Sequence, residues 1–212
     1  MSATGRSDVR RKDDFYATPG WCTRSILPHL STGRSVLDPC CGDGAILVEC
    51  QARGLECHGI ELRERGGSSL FKSMRQADAL DLAVPWNVAD CIITNPPYSH
   101  AMGFVMRAIQ LRIEAAFLLR LNWLGGQRRA AFHRKYPSDV YVLPRRPSFV
   151  GKGTDATEYA WCVWGPGRGG RWSVLEVESS SRGGRVDSRL ALTIATEAAT
   201  LKQESLFKPE TL

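Results

Sequence analysis

Four consecutive residues, Asn95-Pro96-Pro97-Tyr98, combine groups that can act on a poorly nucleophilic amino group. The two prolines fix the backbone, so the Asn95 side-chain oxygen and the Pro96 carbonyl can converge as acceptors on one NH₂. An amino group conjugated to a ring or a carbonyl has a delocalised lone pair. Two acceptors aimed at its hydrogens favour the pyramidal nitrogen and localise that pair toward an electrophile. Tyr98 adds a flat face on which a planar group can stack. Asn95, Pro96, Pro97 and Tyr98 are therefore the candidate catalytic residues.

Earlier in the chain, Val36-Leu37-Asp38-Pro39-Cys40-Cys41-Gly42-Asp43-Gly44 reads as a strand that breaks into a glycine turn and enters a helix. Gly42 and Gly44 let backbone approach a ligand where a Cβ would collide, and Asp38 stands at a strand's carboxyl end, where open α/β sheets bind ligands. The pattern lacks the third glycine of a dinucleotide fingerprint. Glu61 closes the next strand at the distance from which a carboxylate accepts both hydroxyls of a ribose. Asp78, at the end of a short third strand, can accept a hydrogen bond from an adenine amino group. Each acid alone is an ordinary strand-end residue; three on successive strands point to a nucleoside-type cofactor.

These groups need a scaffold that brings strand ends together, and the pattern supplies one. From residue 35 to 164, apolar runs alternate with helical periodicity, the signature of an α/β sheet covered by helices. Strands are expected at 36–37, 57–61, 76–79, 90–94, 115–121, 140–143 and 158–164. Helices are expected over 45–53, 63–74, 100–111 and 127–136, with the polar, Pro- and Gly-rich stretch 144–157 as a loop. Beyond Trp164, two glycine-rich segments bracket one candidate strand, Trp172–Val177, and residues 188–203 place Leu190, Ile194, Ala198 and Leu201 on one helical face. The expected organisation is a domain over 1–164 with an extension over 165–212.

The 212 residues suit one buried core. The absence of a long apolar run or a leader-like start argues against membrane insertion or export, and for a cytoplasmic protein. Seven cysteines without C-x-x-C spacing read as reduced, mostly buried thiols, and His29, His58, His100 and His133 stand singly, so no metal site is expected. Net charge is divided: residues 35–100 hold nine acidic and five basic side chains, whereas 101–152 hold ten basic and two acidic. The basic half suits a polyphosphate partner.

Taken in order, these motifs resemble the class I S-adenosylmethionine-dependent methyltransferases, and among them the DNA methyltransferases that modify N6 of adenine. The similarity covers roughly residues 13–164 and begins with Asp14-Phe15-Tyr16-Ala17-Thr18-Pro19, which is similar to a loop lying over the cofactor's methionine moiety. It implies a seven-stranded, mostly parallel Rossmann-like sheet with an antiparallel last strand. It also implies S-adenosylmethionine as cofactor, held by Phe15, Tyr16, Thr18, Pro19, Asp38, Pro39, Cys40, Gly42, Gly44, Glu61, Leu62, Asp78, Ala79 and Asn95. The implied target is an adenine flipped out of duplex DNA and stacked on Tyr98, with Phe149 as a second wall and Arg145, Arg146 and Lys152 on phosphates. In the alternative, Phe149 anchors its own loop and the three cations are solvated. No segment is large enough for a sizeable target-recognition domain, a trait shared with small phage and prophage methyltransferases that implies a short or relaxed recognition site. RNA adenine or a protein glutamine amide poses the same chemical problem and stays open as a substrate, and the expected state is a monomer or weak homodimer.

Overall fold

The computed structural model of the chain describes residues 17–63, 71–149 and 156–177. Phe15, Tyr16, Lys152, most of the helix expected over 63–74 and the helix expected over 188–203 lie outside them. The described chain runs α1 (Gly20–Ile26), β1 (Ser35–Asp38), α2 (Ala45–Gln51), β2 (Glu56–Glu61), β3 (Ser73–Gln76), β4 (Cys91–Thr94), α3 (Ala101–Leu111), β5 (Glu114–Arg120), α4 (Gln127–Lys135), β6 (Asp139–Val142), β7 (Tyr159–Trp164) and β8 (Trp172–Val174). Single 3-10 turns over Leu27–His29 and Leu121–Leu124 follow α1 and β5.

The strands form one sheet in the order β3-β2-β1-β4-β5-β7-β6-β8. Pairing is parallel throughout except along β7, which runs antiparallel to both β5 and β6. Strands β4 and β7 are buried at every position and β5 at all but its last, which is why they read as unbroken apolar runs rather than as alternation. The two-residue period splits each strand between two cores. In β5, Ala116 and Leu118 face a core with Cys22 and Ile26 of α1 and Leu47 of α2, while Ala115, Phe117 and Leu119 face one with Phe104, Val105 and Ala108 of α3.

Three expectations change. β3 lies at Ser73–Gln76, three residues before its expected place, because register with β2 pairs Glu61 with Gln76 and the following residues fold in as a loop. Ser73 and Met74, expected to end a helix, are therefore strand. The sheet has eight strands rather than seven: β8, from the expected extension, pairs in parallel with β6 through Val140↔Trp172 and Val142↔Val174. α1 spans only seven residues behind Pro19, too few for periodicity to reveal.

One buried cation ties this edge to the rest. The Arg168 guanidinium donates to Glu114 Oε1 at 2.6 and 2.8 Å, to Asp139 Oδ2 at 3.3 Å, to the Tyr141 hydroxyl at 3.0 Å and to the His29 carbonyl at 2.6 Å. Asp139 is fully buried, and its Oδ1 accepts the N–H groups of Gly169 and Arg171 at 3.0 Å. Although burial opposes ionisation, these donors hold the Asp139 carboxyl below its ordinary range. Arg168→Ala removes the countercharge of two buried carboxylates and is expected to cost about 3–5 kcal/mol in chemical denaturation, whereas a loss under about 1 kcal/mol overturns the assignment of this knot as a structural anchor.

Candidate active site

The strand order reverses beside β1, whose neighbours are β2 on one side and β4 on the other. Loops leaving the carboxyl ends of β1 and β4 therefore diverge and open a crevice between them. Asp38 and the glycine turn leave β1 there, and Asn95 leaves β4.

The turn is held by the Asp38 side chain, by β2 and by its own backbone. Asp38 Oδ1 accepts the Cys40 N–H at 3.0 Å, the Cys41 N–H donates to the Ile60 carbonyl at 3.0 Å, and the Gly44 N–H donates to the Cys41 carbonyl at 2.7 Å. Gly42 and Gly44 both take positive φ, +55° and +86°. At Gly44 a Cβ would also lie 2.5 Å from the Phe71 ring, so this position, which opens α2, admits glycine only. The Gly42 N–H donates to Glu61 Oε2 at 2.9 Å and the Arg63 N–H to Oε1 at 3.2 Å. A carboxylate offers about four acceptor positions, and these two donors fix which way it faces.

Asp38 is 1% exposed, and burial pushes its carboxyl up to about 7, against the opposing influence of the Thr94 hydroxyl and the Cys40 N–H; the charges of Glu61 and Asp43 push the same way as burial. Burial likewise raises all seven thiols, Cys162 to about 12 and Cys57 to about 11, so Cys40 and Cys41 bring no thiolate to the turn. Asp78 lies two residues beyond β3, exposed, with Oδ1 accepting the Leu80 N–H at 2.8 Å, and Ala79 is buried. It belongs to a loop, not to a strand end.

Asn95 is where distant segments meet. Its Nδ2 donates to Thr18 Oγ1 at 3.1 Å, and its Oδ1 accepts the Tyr98 hydroxyl at 3.4 Å. Thr18 is itself buried, and Pro19 next to it starts α1. Thr18, just before α1, is thus in contact with the catalytic candidate. The Arg120 guanidinium lies 4.6 Å from the centre of the Tyr98 ring, and its Nε donates to the Tyr159 hydroxyl at 3.1 Å. Tyr159, 1% exposed, sits 6.0 Å from Tyr98 and 5.2 Å from Phe149, ring centre to ring centre. Phe149 reaches the site through Tyr159.

Of the candidate cations, Arg145 and Arg146 lie among the described residues, and both are engaged. Arg145 covers the Trp21 ring at 4.6 Å, and Arg146 pairs with Glu158, its Nε 2.8 Å from Oε1. Sequence reading passed over Arg120, Tyr159 and Trp21. The signal for Arg120 was present: it is the single charge that closes the apolar run Ala115–Leu119 at its carboxyl end.

No family model matches the chain. Among curated proteins it is similar to a tRNA (guanine(10)-N2)-dimethyltransferase of Pyrococcus abyssi, 26% identical over 150 residues, which covers 65% of this chain and 44% of that protein. Among solved structures it is similar to a modification subunit of a putative type I restriction enzyme from Vibrio vulnificus, with TM-score 0.55, 19% identity, and coverage of 78% of this chain and 47% of that one. It is also similar to a putative RNA methyltransferase from Pyrococcus horikoshii, with TM-score 0.53, 13% identity, and coverage of 72% and 86%. The chain spans under half the length of the curated relative and of the Vibrio subunit. The fold is the Rossmann-like fold of class I methyltransferases.

Buried Asp38 makes this end of the sheet pH-sensitive. Its carboxyl ionises near 3.8 in an open chain and near 7 in the fold, so folding is favoured by this group below pH 4 and loses that contribution as pH rises through 7. Asp38→Asn, which cannot ionise, is expected to gain melting temperature over the parent between about pH 4 and pH 7, with a level difference beyond. Parallel thermal melts showing a difference independent of pH would contradict the raised carboxyl.

Proposed function

We propose that the chain transfers a methyl group from S-adenosylmethionine to N6 of adenine in DNA, at a short or relaxed site. The observation that carries this reading is the Asn95 amide, fixed at the β1/β4 crevice between the Thr18 and Tyr98 hydroxyls. The residues present suit the cofactor. The oriented Glu61 carboxylate fits ribose hydroxyls, Asp78 and Ala79 an adenine edge, Leu62, Pro39 and Cys40 the walls between, and Asp38 with Gly42 and Gly44 the open turn. The segment ending Thr18-Pro19, with Phe15 and Tyr16 before it, is assigned to the methionine end.

S-adenosylmethionine supplies an electrophilic methyl group on a sulfonium centre. The protein's part is to hold the nucleophile: Asn95 Oδ1 and the Pro96 carbonyl accept the two amino hydrogens, which localises the lone pair toward the methyl carbon. For this the Tyr98 hydroxyl yields Oδ1 to the substrate. The reaction is an in-line displacement that needs no covalent enzyme intermediate, and the excess proton leaves to water. Pro97 keeps the turn rigid, and Tyr98, with Arg120 against its ring, offers a stacking face worth about 1–3 kcal/mol to the flipped base. Phe149 supports that face through Tyr159. Arg145 and Arg146, at the start of the loop after β6, are assigned with Lys152 to phosphate contacts, and Arg146 exchanges Glu158 for phosphate on binding.

A second reading, an RNA base, is favoured by the curated relative, whose name concerns an amino group of guanine in tRNA. Transfer of isotopically labelled methyl to unmethylated DNA, RNA and bulk protein in parallel, followed by nucleoside chromatography, separates the substrates. Label is expected as N6-methyladenine in DNA; label confined to RNA or to protein glutamine moves the function there. Asn95→Ala is expected to lose at least about 100-fold in turnover while S-adenosylhomocysteine affinity stays within about threefold. Parental turnover in that variant rules out the catalytic role of the amide.

A further inference from the structure

Arg107 sits on α3, outside every motif that suggested function, and is 8% exposed. Its guanidinium faces the loop between β3 and β4. Nη1 donates to the carbonyls of Ala79 at 2.5 Å and Asp81 at 2.7 Å, and Nη2 donates to that of Val84. The same group lies 4.8 Å from the centre of the Trp86 ring, whose Nε1 donates to the Ala79 carbonyl at 3.1 Å, and Trp86 in turn stacks on Phe104 of α3. Burying a guanidinium costs solvation, and burial does pull Arg107 below its ordinary range against the charges of Asp81 and Asp78. An apolar residue at this helix position would pack without that cost. What only the arginine supplies is a planar set of donors that satisfies three carbonyls of one loop at once.

That loop starts with Asp78 and Ala79, the residues assigned above to the adenine edge. Asp78 Oδ1 is turned back onto the Leu80 N–H, and the Asp81 N–H donates to the Asp78 carbonyl at 3.0 Å, so the direction of the carboxylate is set by the path of residues 79–84. Arg107 and Trp86 set that path from beneath. We infer that Arg107 is a positioning residue for the cofactor's base: by clamping the carbonyls of Ala79, Asp81 and Val84 to α3, it fixes the Asp78 carboxylate where it accepts an adenine amino group. This rests on the assignment of S-adenosylmethionine as cofactor. The consequence is selectivity for adenine over a base that presents an oxygen at the same position, because that oxygen meets a fixed carboxylate with no proton between them.

Calorimetric titration with S-adenosylhomocysteine and S-inosylhomocysteine, whose base has an oxygen in place of the amino group and a proton on the neighbouring N1, tests the inference without substrate or turnover. The parent is expected to prefer the adenine ligand at least about tenfold. Arg107→Met keeps the length but not the donors and is expected to lower affinity for the adenine ligand about tenfold, to change the hypoxanthine ligand little, and to bring the preference close to unity. Arg107→Lys, which keeps the charge but not the planar fork, is expected to retain an intermediate preference and carries the test if the methionine variant does not fold. Equal weakening of both ligands, with the preference intact, would show a merely structural role and overturn the inference, as would a parent that binds both ligands equally. A parent that binds neither ligand overturns the cofactor assignment itself; a parent preference untouched in both variants overturns only the role of Arg107.

Discussion

Parallel pairing of β1 with β4, through Val36↔Cys91 and Leu37↔Ile92, is the constraint on which the site depends. Both strands are buried on both faces, so their register is held by two cores at once and a slip would expose apolar residues on either side. Their carboxyl ends then stop at one level, and the chain must turn away from the sheet with its backbone groups unpaired. The glycine turn after Asp38 and the proline-stiffened turn after Asn95 are two solutions to that problem placed next to each other. The topology thereby brings a buried carboxyl, that of Asp38, and a held amide, that of Asn95, to the ends of adjacent strands.

The same chain uses arginine repeatedly as a bolt for backbone. Arg107 holds the carbonyls of the β3–β4 loop, Arg129 those of Asn122, Trp123 and Gly125, and Arg168 that of His29 together with two buried carboxylates. Arg120 and Arg145 lie on aromatic rings, and Arg146 is paired with Glu158. Five of the ten basic residues over 101–152 thus make internal contacts, while Arg112, Arg128 and Arg134 are exposed.

The site also joins elements that are far apart in sequence through hydroxyl groups. Thr18 reaches Asn95 across 77 positions, and Tyr159 reaches Arg120 across 39. Hydroxyls both donate and accept, so this chain of contacts can exchange a partner for a substrate amino group without leaving a buried polar atom stranded. That property suits the role proposed for the Asn95 amide, held in place until a substrate takes over its oxygen.

The sequence alone determined which residue types stand at strand ends, because strand buried on two faces reads as continuous apolar runs and the turns that follow need glycine or proline. Asp38, Glu61 and Asn95 were legible for that reason, as was the alternation that specifies the sheet. The displacement of β3 and the loop placement of Asp78 were not, since both follow from pairing with β2 and from a guanidinium on α3 that no local pattern announces. The eighth strand was visible only as a candidate, and its place beside β6 depends on Arg168 meeting Glu114 and Asp139, contacts 54 and 29 positions away in sequence. Tertiary structure decided these points because a buried charge takes its meaning from its partners, and those partners are brought together only by the fold.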